Sequence, residues 1–249
     1  MLKTRVIPVL TIKGERLVKS VRFENHRNIG SYISAVRVFN ARDVDELIFL
    51  NLDAGAKGIL PRLLKEVTKE CFMPVTLGGG VRTLEDVQLL LSCGADKISI
   101  NTAAFENPGL ISLGARRFGN QCIVVSIDAK RVGNRYEVFA RGGKRGTGKD
   151  VVAWAKDAQA RGAGEILLTS IDNDGAMKGY DIALIKEVSS AVTIPVIASG
   201  GAGIATHCVQ ALQQGAAAVA AASIFQYTQT TPSLIKEELA RFGFPVRIL

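Results

Sequence analysis

Short apolar runs recur about every 25–30 positions along the chain, at residues 6–10, 47–52, 74–77, 97–100, 123–127, 165–168, 194–198 and 217–221. Their apolar residues are consecutive rather than alternating, as in strands covered on both faces. Between most of them the apolar spacing widens to that of an amphipathic helix, over residues 61–71, 83–93, 108–118, 150–161, 181–191 and 206–214. Gly94, Gly119, Gly162 and Gly215 stand where four of these helices should stop. Alternation of strand and helix predicts an α/β protein with a parallel sheet. Eight such units predict a closed (β/α)8 TIM barrel in a single domain over residues 1–249, with an open doubly wound sheet as the alternative.

The chain also resembles itself. Gly-Gly-Gly-Val-Arg-Thr at 78–83 answers Ser-Gly-Gly-Ala-Gly-Ile at 199–204, and the segment 94–104 answers 215–225 at the same offset of 121 residues. A repeat of this length predicts a barrel built from two half-barrels of four units each. It also pairs the turns at the carboxyl ends of the strands, where barrels keep their sites. One pair is glycine-rich, with Gly79 and Gly80 in one half and Gly200 and Gly201 in the other. The second pair is Asn101 and Thr102 in one half, Ala222 and Ser223 in the other. Backbone N–H groups in such turns, with a helix N-terminus behind them, hold phosphate without side-chain charge. Two matched turns predict a ligand with two phosphate groups; the alternative is that the glycines serve tight turns only.

Candidate chemistry centres on the run Cys-Ile-Val-Val-Ser-Ile-Asp-Ala-Lys at 122–130, where a buried strand runs into the carboxylate of Asp128. Asp128 is a candidate site carboxylate, or else a loop cap. The internal symmetry maps it onto Thr11, across the barrel. Thr169, Asp172, Asp174 and Gly175 follow the sixth strand, Asn51 and Asp53 the second. Lys19 lies in a basic stretch, 13–30, that reads as a mobile lid over an anion or as a solvated loop. His26 within it and Trp154 in a helical pattern read as incidental and as packing. At the opposite rim the strands begin with Arg5, Glu46, Lys97 and Glu165, which would meet as a ring and either plug the floor or line an opening.

Composition narrows the partners. The net charge of +8 suits nucleic acid, a membrane surface or a phosphorylated metabolite, but the basic residues form no stripe with interleaved aromatics, so nucleic acid is disfavoured. The apolar runs fall short of a membrane span, and the first residues lack the core of a secretion signal, so a cytoplasmic protein is expected. Cys71, Cys93, Cys122 and Cys208 stand singly, as buried free thiols, with no metal-ligand spacing.

Gly78-Gly-Gly80, the segment 94–104, Ile127-Asp-Ala-Lys-Arg131, the segment 162–172, Asp174-Gly175, Gly179-Tyr-Asp181 and the segment 198–203 are together specific, and by them the chain resembles the cyclase subunit of imidazole glycerol phosphate synthase along nearly its whole length. The resemblance implies a lyase-type cyclase without a cofactor, in a heterodimer with a glutaminase. Ammonia from the glutaminase would enter through the ring of Arg5, Glu46, Lys97 and Glu165, with Asp96 facing the partner. At the top it would react with a bisphosphorylated ribotide. The family uses two aspartates as acid and base; one is matched by Asp128, and Thr11 stands in place of the other. Asn51, Gly142 and Ala176 depart from the family at the same rim. Divergent second copies of the family resemble this pattern and occur with pathways for amidino-modified surface polysaccharides, where ammonia passes to a separate amidotransferase. Three functions fit: an ammonia-handling subunit of that kind, a working cyclase of histidine biosynthesis, and a non-catalytic scaffold subunit.

Overall fold

The computed structural model describes residues 3–42 and 44–247. Eight parallel strands close into a barrel: β1 (Arg5–Lys13), β4 (Leu47–Asn51), β5 (Val75–Gly78), β6 (Lys97–Ile100), β7 (Ile123–Val132), β10 (Glu165–Ser170), β11 (Val196–Ser199) and β12 (Ala218–Ala221). Pairing of β7 with β10 and of β12 with β1 completes the circle. The open-sheet alternative is thereby excluded. The halves match element by element: β5 and β6 recur 121 residues on as β11 and β12, and the helix Leu84–Ser92 as the helix Ala205–Gln213.

Successive side chains of a strand point to opposite faces, and this parity sets up the whole interior. The inward row of β1 is Arg5, Ile7, Val9 and Thr11; that of β7 is Val124, Ser126 and Asp128; that of β10 is Glu165, Leu167 and Thr169. Each row runs from the amino-terminal floor to the carboxyl-terminal mouth. Ile7, Val9, Ile48, Val124, Leu167, Ile197, Ala218 and Ala220 form a compact apolar plug between the two ends. The other parity, with Val6, Leu10, Ile12, Phe49 and Leu77, packs against the helices as the main core. Trp154 lies in that core, edge-on to Phe105 at 5.8 Å, as its helical pattern implies.

Two excursions were not expected. The stretch 13–30, which reads as a mobile lid or a solvated loop, is a hairpin: β1 continues to Lys13, then β2 (Arg16–Val21) and β3 (Glu24–Gly30) run antiparallel. The strand bearing Asp128 does not end there either; it leaves the barrel, runs to Val132 and returns as β8 (Arg135–Ala140), followed by β9 (Arg145–Asp150). Both hairpins escape a reading based on apolar runs because β3 and β9 are almost wholly exposed and polar. Helices at Tyr32–Ala41 and Pro232–Arg241 complete the alternation. Cys93 and Cys208 are buried free thiols, whereas Cys71 and Cys122, expected to be buried as well, are only half-buried.

Candidate active site

The barrel mouth opens into a cavity of about 820 Å³. Thr11 and Asp128 both line it, as do Lys19, Thr169, Asp174 and Gly175. The two glycine turns contribute Gly79, Gly80, Gly200 and Gly201, and the next pair of turns contributes Asn101, Thr102, Ala222 and Ser223. The barrel brings together residues spread over more than two hundred positions because the carboxyl ends of all its strands share one rim. Phe23, lying against Gly143, and Lys13, His26, Arg82, Arg141 and Lys144 line the cavity as well. Among these, His26 had read as incidental; the hairpin fold is what carries it to the mouth. Asp172 instead faces outward, where its carboxylate accepts the Arg131 N–H at 2.9 Å.

Asp128 is buried at the top of its inward row. Asn101 Nδ2 donates to its Oδ2 at 3.0 Å and to the Ser126 carbonyl at 3.1 Å, fixing the carboxyl group at the cavity wall. Burial, reinforced by the negative charge of Asp174, pushes Asp128 up to about 7, against the opposing pull of the Asn101 hydrogen bond. A carboxyl group titrating there can both give and take a proton near neutral pH. Asp174 is paired with Lys19, whose Nζ lies 3.0 Å from Oδ1 in a buried ion pair that pins the first hairpin to the loop after β10.

Since the folded value for Asp128 lies above the unfolded one, its contribution favours folding only at low pH and is lost as pH rises from about 3.8 through about 7. Asp128→Asn should therefore stabilise the protein at pH 8 by at most ~4 kcal/mol and have little effect at pH 3.5. Urea melts at the two pH values check this; an equal effect at both would show that Asp128 is not held neutral by its surroundings.

Thr11 occupies the matching place on β1, but its Oγ1 donates to the Val18 carbonyl at 2.6 Å within the hairpin. The hydroxyl proton is thus committed to the backbone. A threonine hydroxyl has no ionisation near neutral pH, so position 11 itself offers no proton carrier.

The turns have the geometry that close backbone approach demands. A Cβ on Gly79 would stand 2.1 Å from the Asn51 carbonyl oxygen, and one on Gly201 2.1 Å from that of Gly179, both with φ above +100°. Ser223 Oγ is buried without a hydrogen-bond partner among the described residues. The charge around the opening is positive: Asp53 is bound by Lys57, and Glu106 by Arg141 and Arg145, leaving Lys13 and Lys144 facing the cavity. Burial, then Lys13, Lys144 and Lys19, lower the basicity of His26.

At the floor the four charged strand-start residues do close a ring. Arg5 reaches Glu46 at 2.6 Å and Glu165 at 2.8 Å; Lys97 reaches the same two carboxylates, each at 2.9 Å. Thr76 Oγ1 donates to Glu46 at 2.7 Å. Burial pushes the Glu46 carboxyl upward, but Lys97 and Arg5 outweigh it and hold it below the usual carboxylate range. Asp96 lies exposed beside the ring and accepts the Val75 N–H at 2.8 Å.

Residues 5–231 match the family model described as histidine biosynthesis protein. Imidazole glycerol phosphate synthase subunit HisF of Caulobacter vibrioides is 49% identical over 253 residues, covering 100% of this chain and 97% of that one. The subunit HisF of Hyphomonas neptunium is 49% identical over 99% of both chains. A Campylobacter jejuni protein, provisionally named imidazole glycerol phosphate synthase subunit hisF2, is 48% identical over the full length of both. With a family model spanning nearly all of its residues and near-half identity to full-length subunits, this chain belongs to the HisF family of imidazole glycerol phosphate synthase subunits.

Proposed function

We propose that this chain is the ammonia-receiving barrel of a glutamine-dependent synthase, with its cyclase chemistry impaired. A glutaminase docks on the floor beside Asp96, ammonia enters through the ring of Arg5, Glu46, Lys97 and Glu165, and the mouth binds a bisphosphorylated ligand. The two glycine turns take the phosphates, with Lys19 and Asp174 fixing the hairpin above them. Of the two symmetry-related positions 11 and 128, only Asp128 carries a proton-transferring group. The observation that carries the reading is the hydrogen bond from Thr11 Oγ1 to the Val18 carbonyl, which ties up the group standing where the second acid should be. The likeness to a hisF2 subunit supports a second-copy role. In that role, ammonia passes to a separate amidotransferase in the synthesis of amidino-modified surface polysaccharide.

Near-half identity to two HisF subunits favours a second reading, a working cyclase of histidine biosynthesis. The protein, its glutaminase, an ammonium salt and the family's ribotide, followed by loss of substrate absorbance, separate the two. Turnover at ordinary enzymatic rates rejects the impaired reading. Binding of the ribotide without turnover supports it, and no binding at all leaves a scaffold.

The floor can be tested alone. Asp96→Asn retains an acceptor for the Val75 N–H but removes the charge. It should lower stimulation of the glutaminase about tenfold, the equivalent of ~1.4 kcal/mol of docking or coupling energy. Unchanged stimulation would remove Asp96 from the interface.

A further inference from the structure

The two glycine turns are related by the internal repeat, yet they are fastened differently. In the first half the helix Leu84–Ser92 begins with a capping box: Thr83 accepts from the Asp86 N–H, and Asp86 Oδ2 accepts from the N–H groups of Arg82 and Thr83, at 2.8 and 3.0 Å. In the second half, the helix Ala205–Gln213 has Ile204 at its N-cap and no side-chain cap. The residue 121 positions after Asp86 is His207, and it repeats one bond of the box: the Gly203 N–H donates to His207 Nδ1 at 3.1 Å. Gly203 is the counterpart of Arg82. The far end of the same turn is fixed by the Gly179 N–H donating to the Gly201 carbonyl at 2.9 Å.

The exchange of carboxylate for imidazole has an electrostatic reason. In the first turn the residue in the place of Gly203 is Arg82, which lines the mouth and brings a positive charge to the same turn as Asp86, with its guanidinium donating to the Gly55 carbonyl at 2.9 Å. In the second turn Gly203 supplies no such cation. A carboxylate at position 207 would leave an uncompensated negative charge behind the turn, where it would oppose a dianion. An imidazole accepting through Nδ1 must be unprotonated there, so it supplies the acceptor with no charge. Burial lowers its basicity and favours that neutral form.

We infer that His207 is a positioning residue of the second phosphate turn: its unprotonated Nδ1 holds the Gly203 N–H in place without adding negative charge beside the ligand. Its side chain does not line the mouth, so it acts through the backbone of the turn. Ser223, buried and unpartnered at the neighbouring turn, gives the same site a hydroxyl donor. The inference rests on the reading of the mouth as a bisphosphate site.

The test is a titration of the whole protein with inorganic phosphate, followed through the backbone amide resonances of Gly200 and Gly201 for the second turn and Gly79 and Gly80 for the first. The variants are His207→Asn, His207→Asp and His207→Leu, with thermal melts in parallel. Asn and Asp are both able to accept the Gly203 N–H. Asn should bind phosphate at the second turn within about threefold of wild type, whereas Asp and Leu should bind about tenfold more weakly, or worse. The first turn should be unaffected in all three. The Asp variant should melt with the Asn variant, which separates charge from loss of structure, and this comparison stands even if the Leu variant does not fold. Equal phosphate affinity in the Asp and Asn variants overturns the inference alone. Absence of binding at both turns of the wild type overturns the bisphosphate reading, and this inference with it.

Discussion

Thr11→Asp should raise the rate of ribotide cyclisation by about two orders of magnitude, because it restores a proton carrier opposite Asp128, and general acid–base catalysis typically contributes about 10²–10⁴-fold. The expected gain sits at the lower end of that range for a reason visible in the site. The wild-type hydroxyl donates to the Val18 carbonyl, and a carboxylate in its place can make that bond only when protonated. The carbonyl therefore raises the pKa of the introduced acid and favours its protonated form beside Asp128, which itself titrates at about 7. Two carboxyl groups held partly protonated can share the roles of acid and base. The measurement is kcat for cyclisation with saturating ammonium, so that the glutaminase plays no part. An unchanged rate would mean that Asn51, Gly142 and Ala176 disable the mouth as thoroughly as Thr11 does.

Glu46→Ala should destabilise the protein by about 3–5 kcal/mol, since it removes one partner from a buried ion-pair network. Arg5 and Lys97 would then face each other across the barrel floor with Glu165 as their shared counter-ion, and Thr76 Oγ1 would lose its acceptor. For a chain of this size the loss corresponds to a fall in melting temperature of roughly 10 °C. The pH dependence has a definite sign. The folded value of Glu46 lies below its ordinary value of 4.5, so its contribution is fully present above that pH and disappears as pH falls through the lower folded value. Wild type and Glu46→Ala should accordingly converge in strong acid. Replacing all four ring residues by apolar ones of similar volume should restore much of the stability, because the desolvation cost goes with the charges. It should nevertheless abolish passage of ammonia from the docked glutaminase. Melts showing no cost for Glu46→Ala would mean that the ring is not a coupled unit.

The barrel was legible in the chain because its strands are buried on both faces and so read as continuous apolar runs. The residue positions at both rims followed from counting along those runs. Arg5, Glu46, Lys97 and Glu165 each stand at or beside a strand start, and Asp128, Asn101 and Ser223 beyond the apolar stretch of one. The repeat also put the paired turns in register, and the helices bounded by Leu84–Ser92 and Ala205–Gln213 keep that register residue for residue. The hairpins were not legible. Their outer strands have neither apolar alternation nor burial, and they exist as strands because backbone pairing to β2 and β8 satisfies them.

Sequence alone thus determined the eight-unit cylinder, its duplication and the groups that stand at the ends of its strands, because side-chain burial along a strand is a local and periodic property. Only the tertiary structure decided what those groups do to one another: that Thr11 spends its proton on Val18, that burial beside Asp174 lifts Asp128 to about 7, and that four charges close into one ring. Those outcomes depend on distances and dielectric surroundings between residues far apart in the chain, and such distances are fixed only when the barrel closes.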